Sequence, residues 1–159
     1  MKIMGIDPGM ALIGYGLIEI ESGETRLLTS GSIRTDKVKN VSARLAEIMQ
    51  DIEELIKIYN PDVVSIEDLF FFKNQKTIIP VAQARGVILA IVEKLGIPIY
   101  EYTPMQVKQV LTGYGRATKK EVEEMVRLAI TNKELPKLDD TVDAIGIAIC
   151  HARSMFLLK

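Results

Sequence analysis

Met1-Lys2-Ile3-Met4-Gly5-Ile6-Asp7-Pro8-Gly9 opens the chain, an apolar run that ends abruptly in an acid and a turn. Lys2 to Asp7 reads as a buried strand. Pro8-Gly9 is turn chemistry, and Pro8 also biases Asp7 toward an extended backbone. A carboxylate at the end of a buried strand is costly unless something pairs with it. The same pattern recurs at Asp62-Val63-Val64-Ser65-Ile66-Glu67. Two such strands side by side would bring Asp7 and Glu67 within reach of one another.

Working outward, Leu12 to Glu21 reads as a second strand, in which Gly14 and Gly16 leave room for close backbone approach. Ser22-Gly23-Glu24 is a hairpin loop, and Thr25 to Arg34 is a third strand. These three form an antiparallel meander. Leu45, Ile48, Met49, Ile52, Leu55 and Ile56 then recur at helical spacing, in a helix capped by Ser42 and stopped by Asn60-Pro61. Val63 to Glu67 is the fourth strand, followed by a loop from Asp68 to Lys76. Thr77 opens a long helix to Leu95, with Gly96 as its C-cap. Ile97 to Tyr102 is the fifth strand. Thr103 and Pro104 start a short helix that ends near Gly113, and Thr118 caps another to about Ile130. The last helix runs from about Asp139 to Leu157. The fold class is therefore α/β, a mixed five-stranded sheet with helices on both faces: a three-strand antiparallel meander plus two parallel strands.

A length of 159 residues, 48% apolar and 26% charged, fits a single domain over residues 1–159. The lone cysteine, Cys150, lies in an apolar helix, which argues against a disulfide framework or a thiolate metal site and for a reducing, cytoplasmic home. Asp7 arrives too early for a signal peptide's apolar region, and no apolar run is long enough to span a membrane. The net charge is −1, yet its distribution is uneven. No acid lies between Asp68 and Glu93, where Lys73, Lys76 and Arg85 fall. None lies from Pro104 to Lys120, which carries Lys108, Arg116, Lys119 and Lys120. A locally basic face can hold phosphate whatever the total charge.

Asp140 and Asp143, three apart, share one face of the last helix. With Asp7 and Glu67 they form four acids that would repel at one point. Their natural partners are hard divalent cations, and magnesium takes such oxygen ligands while keeping waters for substrate phosphate. Two such ions about 4 Å apart clamp the attacking and leaving oxygens of a phosphodiester. A two-metal nuclease is the expectation. Asp139 competes with its neighbours as an N-cap or as an i,i+4 partner of Asp143. His151, roughly 12 Å past Asp143 by helical rise, is too far to join the same metal pair.

Further residues carry a resemblance. Gly5-Ile6-Asp7-Pro8-Gly9 with Gly14-Tyr15-Gly16, Ser65-Ile66-Glu67, Ala82-Gln83-Ala84-Arg85-Gly86-Val87, Gln106-Val107-Lys108-Gln109 and Asp140-Thr141-Val142-Asp143-Ala144-Ile145-Gly146-Ile147-Ala148 together resemble the RuvC family of bacterial Holliday-junction resolvases. The resemblance runs along nearly the whole chain. It implies an RNase H-like fold, a homodimer that works with the RuvA-RuvB branch-migration complex, and symmetric nicking of four-way DNA junctions in recombination and repair. It implies two Mg2+ ions per site, Mn2+ substituting, and products with a 5′ phosphate and a 3′ hydroxyl. Asp7, Glu67, Asp140 and Asp143 match the family's metal-binding acids, which leaves Asp139 as the cap. Lys108 and Lys119 match basic residues at the active site, and Phe70, beside Phe71 and Phe72, matches a position that stacks on an unpaired base. Lys73, Lys76, Arg85, Arg116 and Lys120 complete the expected DNA-binding face. The helix from Thr77 to Leu95, apolar around much of its circumference with Ala82, Ala84, Gly86 and Ala90 interspersed, is the expected dimer surface.

Overall fold

The computed structural model describes the backbone of residues 1–69, 75–132 and 139–157, and side chains over 1–69, 78–132 and 141–155. Five strands form one sheet in the order β3-β2-β1-β4-β5: β1 (Lys2–Asp7), β2 (Leu12–Glu21), β3 (Glu24–Arg34), β4 (Val63–Glu67) and β5 (Ile99–Tyr102). β1, β2 and β3 are antiparallel neighbours, while β4 runs parallel to both β1 and β5. The β2–β3 turn is two residues long, with Ser22 and Gly23 both at positive φ (52° and 84°), the geometry whose twist suits a tight hairpin.

Side chains of β1 alternate between two cores. Met4 and Ile6 face α1 (Val41–Tyr59) and α2 (Gln75–Lys94), in a cluster with Ile48, Ile52, Ala84 and Ile88. Ile3 faces the opposite side, among residues of α3 (Pro104–Thr112), α4 (Lys119–Ala129) and α5 (Asp139–Leu157) such as Leu111, Val126 and Ile145. Among the described residues no helix is long and apolar enough to cross a membrane.

Four local expectations need correction. The N-cap of α1 is Asn40, whose Oδ1 accepts from the Ala43 N–H at 2.8 Å; Ser42 lies inside the helix and donates its own hydroxyl to that oxygen. Asn caps as well as Ser does, so composition alone did not separate them. α2 begins at Gln75, two residues before Thr77. β5 begins at Ile99, because Pro98 has no N–H to give a ladder and the Ile97 N–H is drawn to the carbonyl of Val92. Finally, α2 does not present all of the small residues expected at a dimer surface. Ala84, Ile88 and Val92 are buried, whereas Ile79, Ala82, Gly86 and Ala90 form an exposed stripe. Ala84 thus belongs to the core of its own chain and cannot serve as a contact with another.

Candidate active site

The registers place Ile6 beside Ile66, so the next step along β1 and β4 sets Asp7 beside Glu67. Both strands then end. Alternation puts Gly5 and Asp7 on the same side as Ile3, facing α5. Ser65 is on that side too, donating its hydroxyl to the Ile147 carbonyl of α5 at 3.3 Å, and Glu67 follows it by two.

α5 comes close because the sheet is bare there. A Cβ on Gly5 would stand 2.7 Å from the Ala148 amide nitrogen and nearer still to the Ala144 carbonyl oxygen. One on Gly16, paired with Gly5 across β1 and β2, would meet Ile145 Cγ1 at 2.6 Å. The glycine pair lets the helix backbone rest on the strands, and this brings Asp143 to the acids at the sheet's end. The role of Gly16 follows from the sequence, but that of Gly5 emerges only once α5 is seen above it.

Glu67, Lys108, Lys119 and Asp143 line one cleft of about 200 Å³, walled by Val107, Val122 and Ile147. Its two lysines lie on helices that begin with reciprocal caps, Lys108 in the middle of α3 and Lys119 at the start of α4. Thr103 accepts from the Gln106 N–H while Gln106 accepts from the Thr103 N–H, setting α3; Thr118 and Glu121 do the same for α4, of which Lys119 is the first residue. Lys119 Nζ lies 3.5 Å from Asp143 Oδ2.

Burial chiefly, and the Asp143 charge next, push the Glu67 carboxyl up to about 7; a hydrogen bond with Asp7 and the Lys108 charge pull the other way. Burial is the larger cause and the neighbouring Asp143 the smaller, so the carboxyl keeps its proton more readily than a solvated glutamate does. Asp7, Glu67 and Asp143 offer only hard oxygen donors, which fits a divalent cation of the magnesium type. Among the described residues no three acid, histidine or cysteine side chains converge into a ready-made cage. Asp7 and Glu67 hold each other and Asp143 leans to Lys119. The expected fourth ligand, Asp140, begins α5 beside Asp139, and the side chains of both lie outside the described residues, as do Phe70, Phe71, Phe72 and Lys73 and the side chain of Lys76.

His151 and Cys150 take no part. The His151 ring is buried, joined through Nδ1 to the Tyr102 hydroxyl at 2.7 Å and packed against Tyr100. Burial pushes the buried Cys150 thiol up to about 11. Arg116 and Lys120 are exposed, Lys120 next to Lys119 on α4. Arg85 differs from expectation. Its side chain is only 12% exposed and is engaged inside the fold, its Nε donating to the Glu67 carbonyl at 3.0 Å and its guanidinium paired with Asp68 and Glu101. A phosphate would have to displace these partners.

The family model described as "Crossover junction endodeoxyribonuclease RuvC" matches residues 3–151. The chain belongs to the RuvC family. A Brevibacillus brevis RuvC is 50% identical over 153 residues, covering 96% of this chain and 92% of that one. A Caldanaerobacter subterraneus RuvC is 42% identical over 159 residues, covering 100% of this chain and 96% of the other. Among solved structures, Thermus thermophilus RuvC in complex with Holliday junction substrate superposes with a TM-score of 0.92 at 34% identity, over 99% of this chain and 96% of that one. The yeast mitochondrial Holliday junction resolvase, at 16% identity and a TM-score of 0.73, shares the fold, covering 98% of this chain and 81% of its own. The mixed sheet is thus the RNase H-like arrangement of the RuvC resolvases.

Proposed function

We propose that this chain resolves four-way DNA junctions in the cytoplasm, as one nuclease domain spanning residues 1–159, by hydrolysing one phosphodiester per active site at the Asp7–Glu67–Asp143 cleft. The observation that carries the reading is Glu67, hydrogen-bonded to Asp7 at the ends of β1 and β4, facing Asp143 of α5 across a cleft that Lys108 and Lys119 also line, in a chain of the RuvC family. Asp7, Glu67, Asp140 and Asp143 would hold two magnesium ions, or manganese in their place. Such ions supply Lewis acidity for activating water and stabilising the leaving oxygen.

The protein's own groups account for the rest. Lys108 and Lys119 line the cleft, where their ammonium groups would stabilise charge developing on the phosphate. Val107, Val122 and Ile147 give the cleft apolar walls, which strengthen these interactions. Phe70, Lys73, Lys76, Arg116 and Lys120 would contact DNA. A junction has two strands to cut, related by a twofold axis, so a homodimer with the same symmetry supplies both sites. The exposed stripe Ile79, Ala82, Gly86 and Ala90 on α2 is the surface we assign to it. The family resemblance supports joint action with a RuvA-RuvB branch-migration complex.

The test offers purified protein and magnesium a four-way junction, a linear duplex and an RNA–DNA hybrid. Preferred, paired cleavage of the junction is expected, with Asp7→Asn, Glu67→Gln, Asp140→Asn and Asp143→Asn each abolishing cleavage while binding persists through phosphate contacts. Tight binding without cleavage would make the chain a junction-binding module, and preference for the hybrid would make it an RNA-directed nuclease.

A further inference from the structure

Arg85 lies on α2, yet it ends on the strand that carries Glu67. The reason is visible in the hydrogen-bond ladder. Met1 exchanges both backbone hydrogen bonds with Ile20, so odd-numbered residues of β1 bond β2 and even-numbered ones face β4. On β4, the Val64 N–H bonds the Pro98 carbonyl beyond β5, so even-numbered residues there face β5 and odd-numbered ones, Glu67 included, face β1. In a parallel pair the carbonyl of Glu67 would accept from the N–H of the residue after Asp7. That residue is Pro8, which has none.

The Arg85 Nε fills the gap, donating to the Glu67 carbonyl at 3.0 Å. The remaining face of the guanidinium is fixed on both sides of the strand end, by Asp68 Oδ1 at 3.2 Å and by Glu101 of β5. The Asp68 N–H closes the bracket on the Tyr102 carbonyl at 2.8 Å.

We propose that Arg85 is a positioning residue for Glu67: its guanidinium replaces the ladder hydrogen bond that Pro8 withholds and so fixes the strand end from which the Glu67 carboxylate reaches the cleft. The inference rests on the reading of Glu67 as a metal ligand. It needs arginine in particular. Only a planar fork can donate through Nε to a carbonyl while its terminal nitrogen meets two carboxylates; a lysine ammonium brings one charge to one place.

The test compares Arg85→Gln, Arg85→Lys, Glu67→Gln and the double variant Arg85→Gln with Pro8→Ala, using full-length protein on a four-way junction. Junction affinity without metal, single-turnover cleavage at saturation and the magnesium concentration for half-maximal rate are measured. Arg85→Gln should bind the junction as the parent does but cleave about 10–100-fold more slowly with a raised magnesium requirement, the usual scale for losing a residue that orients a ligand. Arg85→Lys should restore little. Pro8→Ala returns an N–H opposite the Glu67 carbonyl, so the double variant should recover part of the rate lost by Arg85→Gln alone, a rescue that a merely stabilising arginine would not show.

Parental kinetics for Arg85→Gln would overturn the proposal. So would a loss confined to junction affinity, which would return Arg85 to the DNA-binding face. Should Arg85→Gln fail to fold, Glu101→Gln carries the test: a raised magnesium requirement supports the proposal and unchanged kinetics overturn it. Cleavage surviving in Glu67→Gln would instead sink the assignment of Glu67, and the proposal with it.

Discussion

Replacing Gly5 by alanine adds one methyl group at the point where α5 touches β1. That carbon would lie 2.7 Å from the Ala148 nitrogen and 3.0 Å from the Ala148 Cβ, closer still to the Ala144 carbonyl. The obstructing atoms are mostly helix backbone, which has no rotamer to move away. Comfortable separation requires α5 to withdraw by about 1 Å. Overpacking of this kind costs about 1–3 kcal/mol, or a fall in Tm of about 3–10 °C for a chain of this size. The effect on cleavage should be larger than the stability loss suggests, because the same withdrawal carries Asp143 from Asp7 and Glu67. A displacement near 1 Å at reacting groups can cost about a hundredfold in rate. Thermal unfolding followed by circular dichroism, together with single-turnover cleavage on saturating junction, measures both. A Gly5→Ala protein with parental Tm and parental rate would refute the idea that the bare glycine sets the distance between helix and strand acids.

Other outcomes follow from the same geometry. Glu67 is held near 7 against an ordinary value of 4.5, so the folded, metal-free chain keeps a proton that the unfolded chain releases. Its stability should therefore fall as pH rises from about 4.5 to about 7, by roughly 3 kcal/mol in all; urea unfolding in chelator at pH 5 and pH 8 reads this, and Glu67→Gln should flatten it. Metal needs the anion, so magnesium affinity should rise with pH through the same window. Lys119→Ala and Lys108→Ala should slow cleavage at saturating junction about 10–1000-fold while leaving binding nearly intact, and an effect confined to binding would remove them from the cleft's chemistry. Ala90→Glu, on the exposed stripe of α2, should yield a folded monomer by light scattering that nicks without paired incisions, whereas Ala84→Glu, in the core, should not fold; a dimeric Ala90→Glu would move the interface elsewhere.

The central elements were legible because their signals are local. An apolar run ending in an acid marks both β1 and β4, and Thr103 with Pro104, like Thr118, announces a helix start. The pairing of Asp7 with Glu67 was readable too, since parallel strands that end together present their last side chains together. What stayed hidden depends on partners distant in sequence. Arg85 looks like any surface cation until the carbonyl of Glu67 and the carboxylates of Asp68 and Glu101 are seen around it. Gly5 looks like a weak point in a strand until Ala144 and Ala148 lie above it. Ala84 and Ala90 are alike in composition, and only the placement of α2 against α1 and the sheet assigns one to the core and the other to solvent.

The cleft draws on β1 and on α5, which lie far apart along the chain. While the ribosome is still translating, Asp7 and Glu67 emerge and can pair, but the helix bearing Asp143 is inside the exit tunnel or not yet made. At a synthesis rate of about 5–20 residues per second, several seconds pass in which the nascent chain carries half a site. A DNA-cutting activity assembled this way is absent until α5 has been made and packed on the sheet, and a chain that stops before Asp143 lacks the third acid of the cleft.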